Sequence, residues 1–249
     1  MWRTVWLAIV AFFTTVPLAS LTIAIAVVKS TSPWIDRIIR LWARTLVHAA
    51  GIELHTEHLH RLDPAKRYIL VCNHYSYLDI PCILTAITSQ PIRFMAKISL
   101  FKIPIFGWAL GRAGFIPVDR KNRRTAVKSF DLAASRIRKG NTIVVFPEEG
   151  RSKFREMKPF QRGAFLLAIR SQKPIVPIAL DSTFDIWPVG AFWKIRPGKV
   201  TLRVGMPIET DTLSVRDKDR LLTEAREQVQ GMLSPVGSSV PRSSSEFLG

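Results

Sequence analysis

Three hydrophobic patterns follow one another along the chain, and the first is a long apolar run. Residues 5–28 carry no charged side chain. A helix over this run would be about 36 Å long, enough for the hydrocarbon core of a bilayer, which is about 30 Å thick. Pro17 predicts a kink, which favours a tilted helix or one embedded in a single leaflet. We expect a helix that spans or embeds; a cleaved signal peptide is less favoured, because the run is longer than most signals.

The second pattern is amphipathic and covers residues 32–50, where Ser32 is a suitable N-cap and Pro33 a suitable first-turn residue. On a helical wheel a basic stripe (Arg37, Arg40, Arg44 and His48) faces away from an apolar side (Ile35, Ile38, Ile39, Trp42, Leu46 and Ala49). Such a helix suits the headgroup region of anionic lipid, and an ordinary helix covering the core is the alternative. If the first helix spans, the excess of Lys29, Arg37, Arg40 and Arg44 after it over Arg3 alone before it places the rest of the chain on the cytoplasmic face of a membrane. The bacterial inner membrane is the expected one.

In the third pattern, from residue 51 onward, short apolar runs alternate with helical periodicity, as an α/β sheet requires. The predicted strands are residues 68–72, 92–96, 115–118, 142–146, 175–180 and 200–204. We therefore expect an α/β domain over residues 51–233, with a mostly parallel or mixed sheet flanked by helices, preceded by two membrane-anchoring helices in residues 1–50. The serine-, proline- and glycine-rich residues 234–249 predict a disordered tail.

Composition adds that the partner is anionic. The chain has 249 residues, enough for one sizeable core, and a net charge of +17. Lipid headgroups, phosphorylated substrates or an acidic carrier protein fit this charge; nucleic acid is not expected, because the basic residues are dispersed and no nucleic-acid-binding motif is present. Cys72 and Cys82 lack a disulfide or metal spacing and are expected to be packing residues. His55, His58 and His60 also fit no familiar metal site, so no metal is expected.

A histidine directly follows the first predicted strand, in residues 73–79, which read Asn-His-Tyr-Ser-Tyr-Leu-Asp. Histidine side chains titrate near neutral pH, so His74 can act as a general base, and a carboxylate on its second ring nitrogen would fix the tautomer. Asp79 is the candidate carboxylate. In a continuous helix the two side chains would lie roughly 140° apart, so we expect His74 in a turn and Ser76 at the N-cap of a helix that carries Asp79. The alternative is a capping box, in which Asp79 only satisfies the helix N-terminus.

A second polar cluster, residues 146–152, follows the predicted strand at 142–146 and reads Phe-Pro-Glu-Glu-Gly-Arg-Ser. In open α/β sheets, ligand-binding groups gather at the carboxyl ends of the strands. We therefore expect the two polar clusters to meet at one edge of the sheet.

In these motifs the chain resembles the glycerolipid acyltransferases of the 1-acylglycerol-3-phosphate acyltransferase type. Residues 73–79 match the family motif Asn-His-x-Ser-x-x-Asp, and residues 114–120 resemble the second motif, an apolar stretch that closes on arginine. Residues 146–152 match the third, usually Phe-Pro-Glu-Gly-Thr-Arg-Ser, except that Glu149 and Gly150 replace the glycine and the threonine. The proline-containing segment 175–178 resembles the fourth.

The resemblance implies an enzyme without a cofactor that moves a fatty acyl group from an acyl thioester, acyl-coenzyme A or acyl-carrier protein, to the free hydroxyl of a lysophospholipid. With 1-acylglycerol-3-phosphate as acceptor the product is phosphatidic acid. His74 would be the general base, oriented by Asp79. Three alternatives remain: transfer to another lysophospholipid, a lipid hydrolase with Ser76 or Ser152 as nucleophile, and a lipid-binding protein without catalysis.

The resemblance also implies a binding region for the glycerol phosphate, made of Arg120, Glu148, Gly150 and Arg151. Lys97 is a further basic candidate. Arginine offers a charged fork that matches phosphate, whereas Glu148 would accept from a glycerol hydroxyl or anchor an arginine. Salt bridges with neighbouring carboxylates are the alternative role of the two arginines. The apolar residues at 99–108 would line an acyl channel or pack under the sheet.

Overall fold

A seven-stranded sheet runs through the centre of the protein, in the strand order β1-β7-β6-β2-β5-β3-β4. The structure, a computed structural model, describes residues 2–119, 123–191 and 193–234. Its strands are β1 (Ile52–Glu57), β2 (Ile69–Cys72), β3 (Ile92–Lys97), β4 (Ile116–Val118), β5 (Thr142–Val145), β6 (Ile175–Asp181) and β7 (Gly198–Val204). Its helices are α1 (Trp2–Val28), α2 (Pro33–Ala49), α3 (Asp79–Ala86), α4 (Phe106–Arg112), α5 (Arg123–Arg138), α6 (Gly163–Ser171), α7 (Thr183–Ile186) and α8 (Lys218–Met232).

Five neighbouring strands of this sheet run parallel, which places their carboxyl ends at one edge. β2 pairs in parallel with both β5 and β6, and β3 pairs in parallel with β5 and β4. Among the named strands of the described residues, the β6–β7 pairing alone is antiparallel, and β1 runs parallel to β7. The predicted fold class, a mostly parallel or mixed sheet flanked by helices, is confirmed.

The side chains of β2 show how the sheet separates two layers of core. Ile69 and Val71 pack into one hydrophobic cluster and Leu70 and Cys72 into the other, because successive strand residues point to opposite faces. The first layer contains α5, α6 and α8, and the second contains α2 and α3. A strand that is buried on both faces has an uninterrupted apolar sequence, and such a sequence predicts β2 directly.

Each of the six predicted strands corresponds to a strand of the structure, and β1 was missed. β1 lies at the edge of the sheet, and Ile52, which is 9% exposed, is its one buried residue. An edge strand that is covered so little has a polar sequence, so the apolar runs used for prediction did not reveal it.

The two N-terminal helices pack against each other and against the domain. Ser32 caps α2 as predicted, since its hydroxyl accepts a hydrogen bond from Trp34 N. α2 packs on α3, and α1 packs on α2 and α4. The outward face of α1 is apolar: Trp2, Trp6, Phe12, Phe13, Val27 and Val28 are exposed there. Within the described residues, α1 is the one helix long and apolar enough to cross a membrane.

The predicted division at residues 50 and 233 stays a prediction. Residues 235–249, nearly all of the predicted tail, lie outside the described residues.

Candidate active site

The loop that follows β2 is fixed to the neighbouring strand β6 by an asparagine. The Asn73 amide donates to Leu180 O at 2.9 Å, and its Oδ1 accepts from Leu180 N at 2.8 Å. Asn73 is completely buried. This pair of hydrogen bonds sets the position from which His74 enters the edge of the sheet.

His74 and Asp79 form a hydrogen-bonded dyad, as predicted from their spacing. His74 Nδ1 lies 2.7 Å from Asp79 Oδ2, which also accepts from the backbone N–H groups of Tyr75 at 2.8 Å and Ser76 at 2.9 Å. A carboxylate oxygen that already accepts two N–H groups is an acceptor for the third, so Nδ1 carries the proton and Nε2 is the free basic nitrogen.

The same contacts correct one detail of the prediction. α3 begins at Asp79 with Leu78 at the N-cap, so the expectation of Ser76 as the N-cap is wrong. The Asp79 carboxylate closes the turn over residues 75–76, and Ser76 Oγ instead donates to Trp187 O at 2.9 Å. Asp79 thus bonds the imidazole and also accepts from two backbone donors of the turn, which lie before the helix and are not its N-terminal N–H groups.

An aromatic ring supports the imidazole from the neighbouring loop. The Phe146 ring stacks on that of His74, with 4.0 Å between the centroids and 16° between the planes. Phe146 directly follows β5, the strand next to β2. The expected meeting of the two polar clusters at one edge of the sheet is therefore what the structure shows.

Glu148, in the same loop as Phe146, accepts a hydrogen bond from the backbone of His74. Its Oε1 accepts from His74 N and its Oε2 accepts from Lys158 N, both at 2.8 Å. Burial raises the pKa of Glu148 to about 7, although the two backbone hydrogen bonds and the charge of Lys158 act in the opposite direction. Ser152 N donates to His74 O at 2.9 Å, so both backbone polar groups of His74 are bonded to the second loop.

Residues 149–151 form the part of the second loop that faces a cavity. Glu149 has a φ of 55°, in the left-handed region, at the position where the family motif has glycine. Gly150 and Arg151 line the cavity, and the Arg151 guanidinium carbon lies 3.5 Å above the Tyr77 ring. Among the described residues no carboxylate forms a salt bridge with Arg151. The alternative role of this arginine, a salt bridge with a neighbouring carboxylate, is therefore not seen in that part of the chain.

Of the other predicted binding residues, Lys97 ends β3, is exposed and lines the same cavity. Arg120 lies outside the described residues. Glu148 is 5% exposed and is not among the lining residues, because both of its oxygens face backbone N–H groups.

The cavity has a volume of about 870 Å³ and extends from His74 to the two N-terminal helices. Its wall is mostly apolar: Ile38, Ile39 and Trp42 come from α2, Ile80 and Leu84 from α3, and Ala109 and Leu110 from α4. Leu100 and Phe106 of the segment 99–108 belong to this wall, which favours the channel role over simple packing. α1 contributes Thr15, Leu18, Ala19 and Thr22, which the sequence had not indicated.

The hydroxyl groups of the two candidate nucleophiles, Ser76 and Ser152, are bonded to groups other than His74. Ser76 Oγ is bonded to Trp187 O and Leu78 N, and Ser152 Oγ accepts from Phe154 N. Both serines are buried. The hydroxyl groups that a serine hydrolase would need are therefore engaged elsewhere.

Comparison with known proteins assigns the chain to a family. Residues 51–181 match the family model described as Acyltransferase. The chain belongs to the acyltransferase family. An acyltransferase named 1-acyl-sn-glycerol-3-phosphate acyltransferase from Chlamydomonas reinhardtii is 33% identical over 178 residues, which are 71% of this chain and 52% of that protein. The protein named 1-acyl-sn-glycerol-3-phosphate acyltransferase alpha from Mus musculus is 30% identical over 210 residues, 84% of this chain and 73% of that protein.

Among solved structures, the chain is similar to one described as the 1-acyl-sn-glycerophosphate (LPA) acyltransferase PlsC from Thermotoga maritima. The TM-score is 0.77 with 22% identity, and the match covers 92% of each chain. This acyltransferase thus shares its fold with that protein over nearly its whole length. The chain spans about half the length of the first curated relatives that it matches.

Proposed function

We propose that this acyltransferase is a 1-acylglycerol-3-phosphate O-acyltransferase, which transfers a fatty acyl group from an acyl thioester to lysophosphatidic acid and forms phosphatidic acid. The observation that carries the proposal is the His74–Asp79 dyad, with its 2.7 Å hydrogen bond, at the head of an apolar cavity. The names of the relatives agree with this choice of acceptor.

In the proposed mechanism His74 Nε2 takes the proton from the acceptor hydroxyl while that oxygen attacks the thioester carbonyl. The new C–O bond forms, the C–S bond breaks, and the thiolate leaves with the proton that His74 returns. Asp79 holds the ring in the required tautomer and stabilises the imidazolium, and the stacked Phe146 fixes its plane. A positioned base of this kind contributes roughly 100- to 10,000-fold to the rate. No cofactor takes part.

The acceptor phosphate is assigned to the polar side of the cavity mouth. Arg151, Gly150 and Lys97 line the cavity there, and the resemblance adds Arg120. Arg151 presents a guanidinium that has no salt bridge in the described part of the chain, and such a group is suited to phosphate. Glu148 belongs to the proposal as a positioning residue for His74, since its oxygens hold backbone N–H groups and do not reach the cavity.

The apolar part of the cavity is proposed to hold a fatty acyl chain. Its volume of about 870 Å³ lies in the range of small-molecule sites, and its wall consists mainly of aliphatic and aromatic side chains. Because α1 and α2 form part of this wall, the acyl chain would lie beside the two helices expected to contact lipid.

The proposed location is a membrane surface, with the outward apolar face of α1 buried in lipid and the basic stripe of α2 near anionic headgroups. The cytoplasmic face of a bacterial inner membrane is the specific proposal. Acyl-carrier protein, which is acidic, is a proposed donor partner beside acyl-coenzyme A, since the chain carries a net charge of +17.

The carboxylate of Glu149 is a reason to test a second class of acceptor, the lysophospholipids with an amine headgroup. Glu149 is exposed and lines the cavity at the position where the family motif has glycine. A carboxylate at this place would repel a phosphate monoester and attract an amine headgroup. Transfer to an amine-bearing lysophospholipid is therefore the second candidate function.

The test is product identification with the full chain in detergent. The protein is incubated with labelled acyl-coenzyme A or acyl-carrier protein and, separately, with lysophosphatidic acid, lysophosphatidylethanolamine and lysophosphatidylcholine. We expect labelled phosphatidic acid from the wild type and none from His74→Ala. Release of labelled free fatty acid as the main product would show a hydrolase instead, and preferential labelling of phosphatidylethanolamine would show the second acceptor class.

A further inference from the structure

A second concentration of positive charge lies at the other end of the sheet from His74. Arg93 of β3 pairs with Ile143 of β5, which pairs with Ile69 at the beginning of β2. β2 continues from Ile69 to Cys72, and His74 lies in the loop beyond that end. Since a parallel strand rises about 3.3 Å per residue, the three steps along β2 place Arg93 about 10 Å from the edge of the sheet that carries His74. This charge is therefore separate from the proposed active site.

Three arginines from three elements make up this group, which we call the arginine cluster: Arg40 of α2, Arg93 of β3 and Arg136 of α5. A Cβ atom placed on Gly114 would lie 3.3 Å from Arg93 Nε and 3.4 Å from Arg136 Cζ, so both guanidinium groups flank the same glycine. Arg40 donates to Gln90 O at 2.8 Å and lies one helical turn after Asp36, the carboxylate that pairs with Arg93.

The positive charge of the arginine cluster is only partly balanced by carboxylates. Asp36 Oδ1 accepts from Arg93 Nη1 at 2.6 Å, and Asp36 is the one carboxylate that pairs with the cluster among the described residues. Arg93 itself is only 8% exposed. One carboxylate against three guanidinium groups leaves an excess of two positive charges at a partly buried place.

Arg136 is the member of the cluster without a partner. Its Nε is buried and has no hydrogen-bond acceptor in the described part of the chain, and its side chain forms no salt bridge there. Burial and the charge of Arg93 lower the pKa of Arg136. A buried donor of a charged group that lacks an acceptor is unfavourable, so this position favours an anion. Arg136 is half-buried, which leaves it accessible from solvent.

We propose that Arg40, Arg93 and Arg136 bind a phosphate group at a site separate from the acyltransfer site. Guanidinium forks match phosphate oxygens, and the excess of two positive charges matches a phosphate ion or a lipid phosphate. The phosphate would join α2 to β3 and α5. Since α2 also forms a wall of the cavity, occupation of the site would stabilise the packing of the N-terminal helices on the domain.

The proposal is tested with the full chain in neutral detergent by thermal unfolding. All proteins carry Arg151→Gln, which weakens phosphate binding at the active site. Inorganic phosphate is compared with chloride at equal ionic strength, and micelles doped with phosphatidylglycerol are compared with micelles doped with phosphatidylcholine. Arg136→Gln removes the unpartnered charge, and Arg138→Gln is the matched control, because Arg138 lies exposed in the same last turn of α5.

At a concentration ten times the dissociation constant, we expect a rise in the unfolding temperature of roughly 3–6 °C. The rise should persist in Arg138→Gln and disappear in Arg136→Gln. It should be partial in Arg136→Lys, because lysine keeps the charge but not the planar guanidinium. Arg136→Lys also keeps the test possible if Arg136→Gln does not fold. A response to phosphate identifies a site for the free ion, and a response to phosphatidylglycerol alone identifies a lipid headgroup. The proposal is overturned if the parent protein responds to neither, or if Arg136→Gln responds as the parent does.

Discussion

Replacing Glu148 by glutamine separates a positioning role from a substrate-binding role. The carboxylate accepts one backbone N–H on each oxygen, at 2.8 Å, from His74 and Lys158. Glutamine offers one oxygen and one NH₂ group, so one buried N–H loses its acceptor, at a cost of about 1–3 kcal/mol. If the lost hydrogen bond leaves His74 less well positioned, this free energy is added to the reaction barrier, and turnover should decrease by roughly 5- to 150-fold.

The assay is steady-state kinetics with both substrates varied. We expect kcat to carry the loss in Glu148→Gln, while KM for lysophosphatidic acid stays within about threefold, because Glu148 does not line the cavity. Glu156→Gln is the matched control, since it makes the same change at an exposed position of the same loop. An unchanged kcat with a KM for lysophosphatidic acid raised tenfold or more, that is by about 1.4 kcal/mol, would show that Glu148 contacts the substrate.

The pH dependence provides a second readout of the same contact. Protonation converts one oxygen of Glu148 into a donor, so His74 or Lys158 loses an acceptor as the pH falls through about 7. We expect activity to fall more steeply on the acid side in the wild type than in Glu148→Gln. The effect on stability has the opposite sign: the folded pKa of about 7 lies above the ordinary 4.5. This group's contribution is therefore fully present below pH 4.5 and is lost as the pH rises through 7, by up to about 3 kcal/mol.

Four further outcomes follow from the structure. His74→Ala should lower turnover by about two orders of magnitude or more while the chain still folds and unfolds cooperatively, and a folded variant with near-normal turnover would show that His74 is not the general base. Arg151→Ala should raise KM for lysophosphatidic acid by about 10- to 150-fold and leave KM for the acyl donor unchanged, with partial recovery in Arg151→Lys; equal losses for both substrates would indicate a structural role. Glu149→Gly should raise the unfolding temperature by about 1–3 °C in a thermal scan, because relief of the positive φ exceeds the entropy cost of glycine; a lower temperature would show that the Glu149 side chain stabilises the loop. High salt should leave the intact chain in the membrane fraction, whereas removal of residues 1–50 should release it or cause it to aggregate; quantitative release of the intact chain by salt would contradict an embedded anchor.

The sequence was sufficient to place the dyad, because its geometry is local. His74 and Asp79 are five residues apart, and a turn followed by a helix was the arrangement that brings them together. The meeting of the two polar clusters was also predictable, since both follow buried strands and parallel strands end at one edge. β2 and β5 are neighbours, as this argument requires.

The role of Glu148 was beyond the sequence, because it depends on how two distant loops approach each other. A motif shows that a glutamate is present but not whether its oxygens face substrate or backbone. The stacking of Phe146 on His74 has the same origin. Likewise, the sequence shows Arg93 only as a charged residue within a strand. Its ion pair could not be predicted, because the partner Asp36 lies 57 residues earlier in another element.

The backbone of His74 is bonded on both sides to the loop at residues 146–152, through Glu148 on its N–H and Ser152 on its carbonyl. Neither bond uses the imidazole. The chemistry can therefore be removed at this position while the shape of the surrounding loops is kept. A chain with alanine here would be a suitable trap for crystallising both substrates together, since they would meet an intact site and remain unreacted.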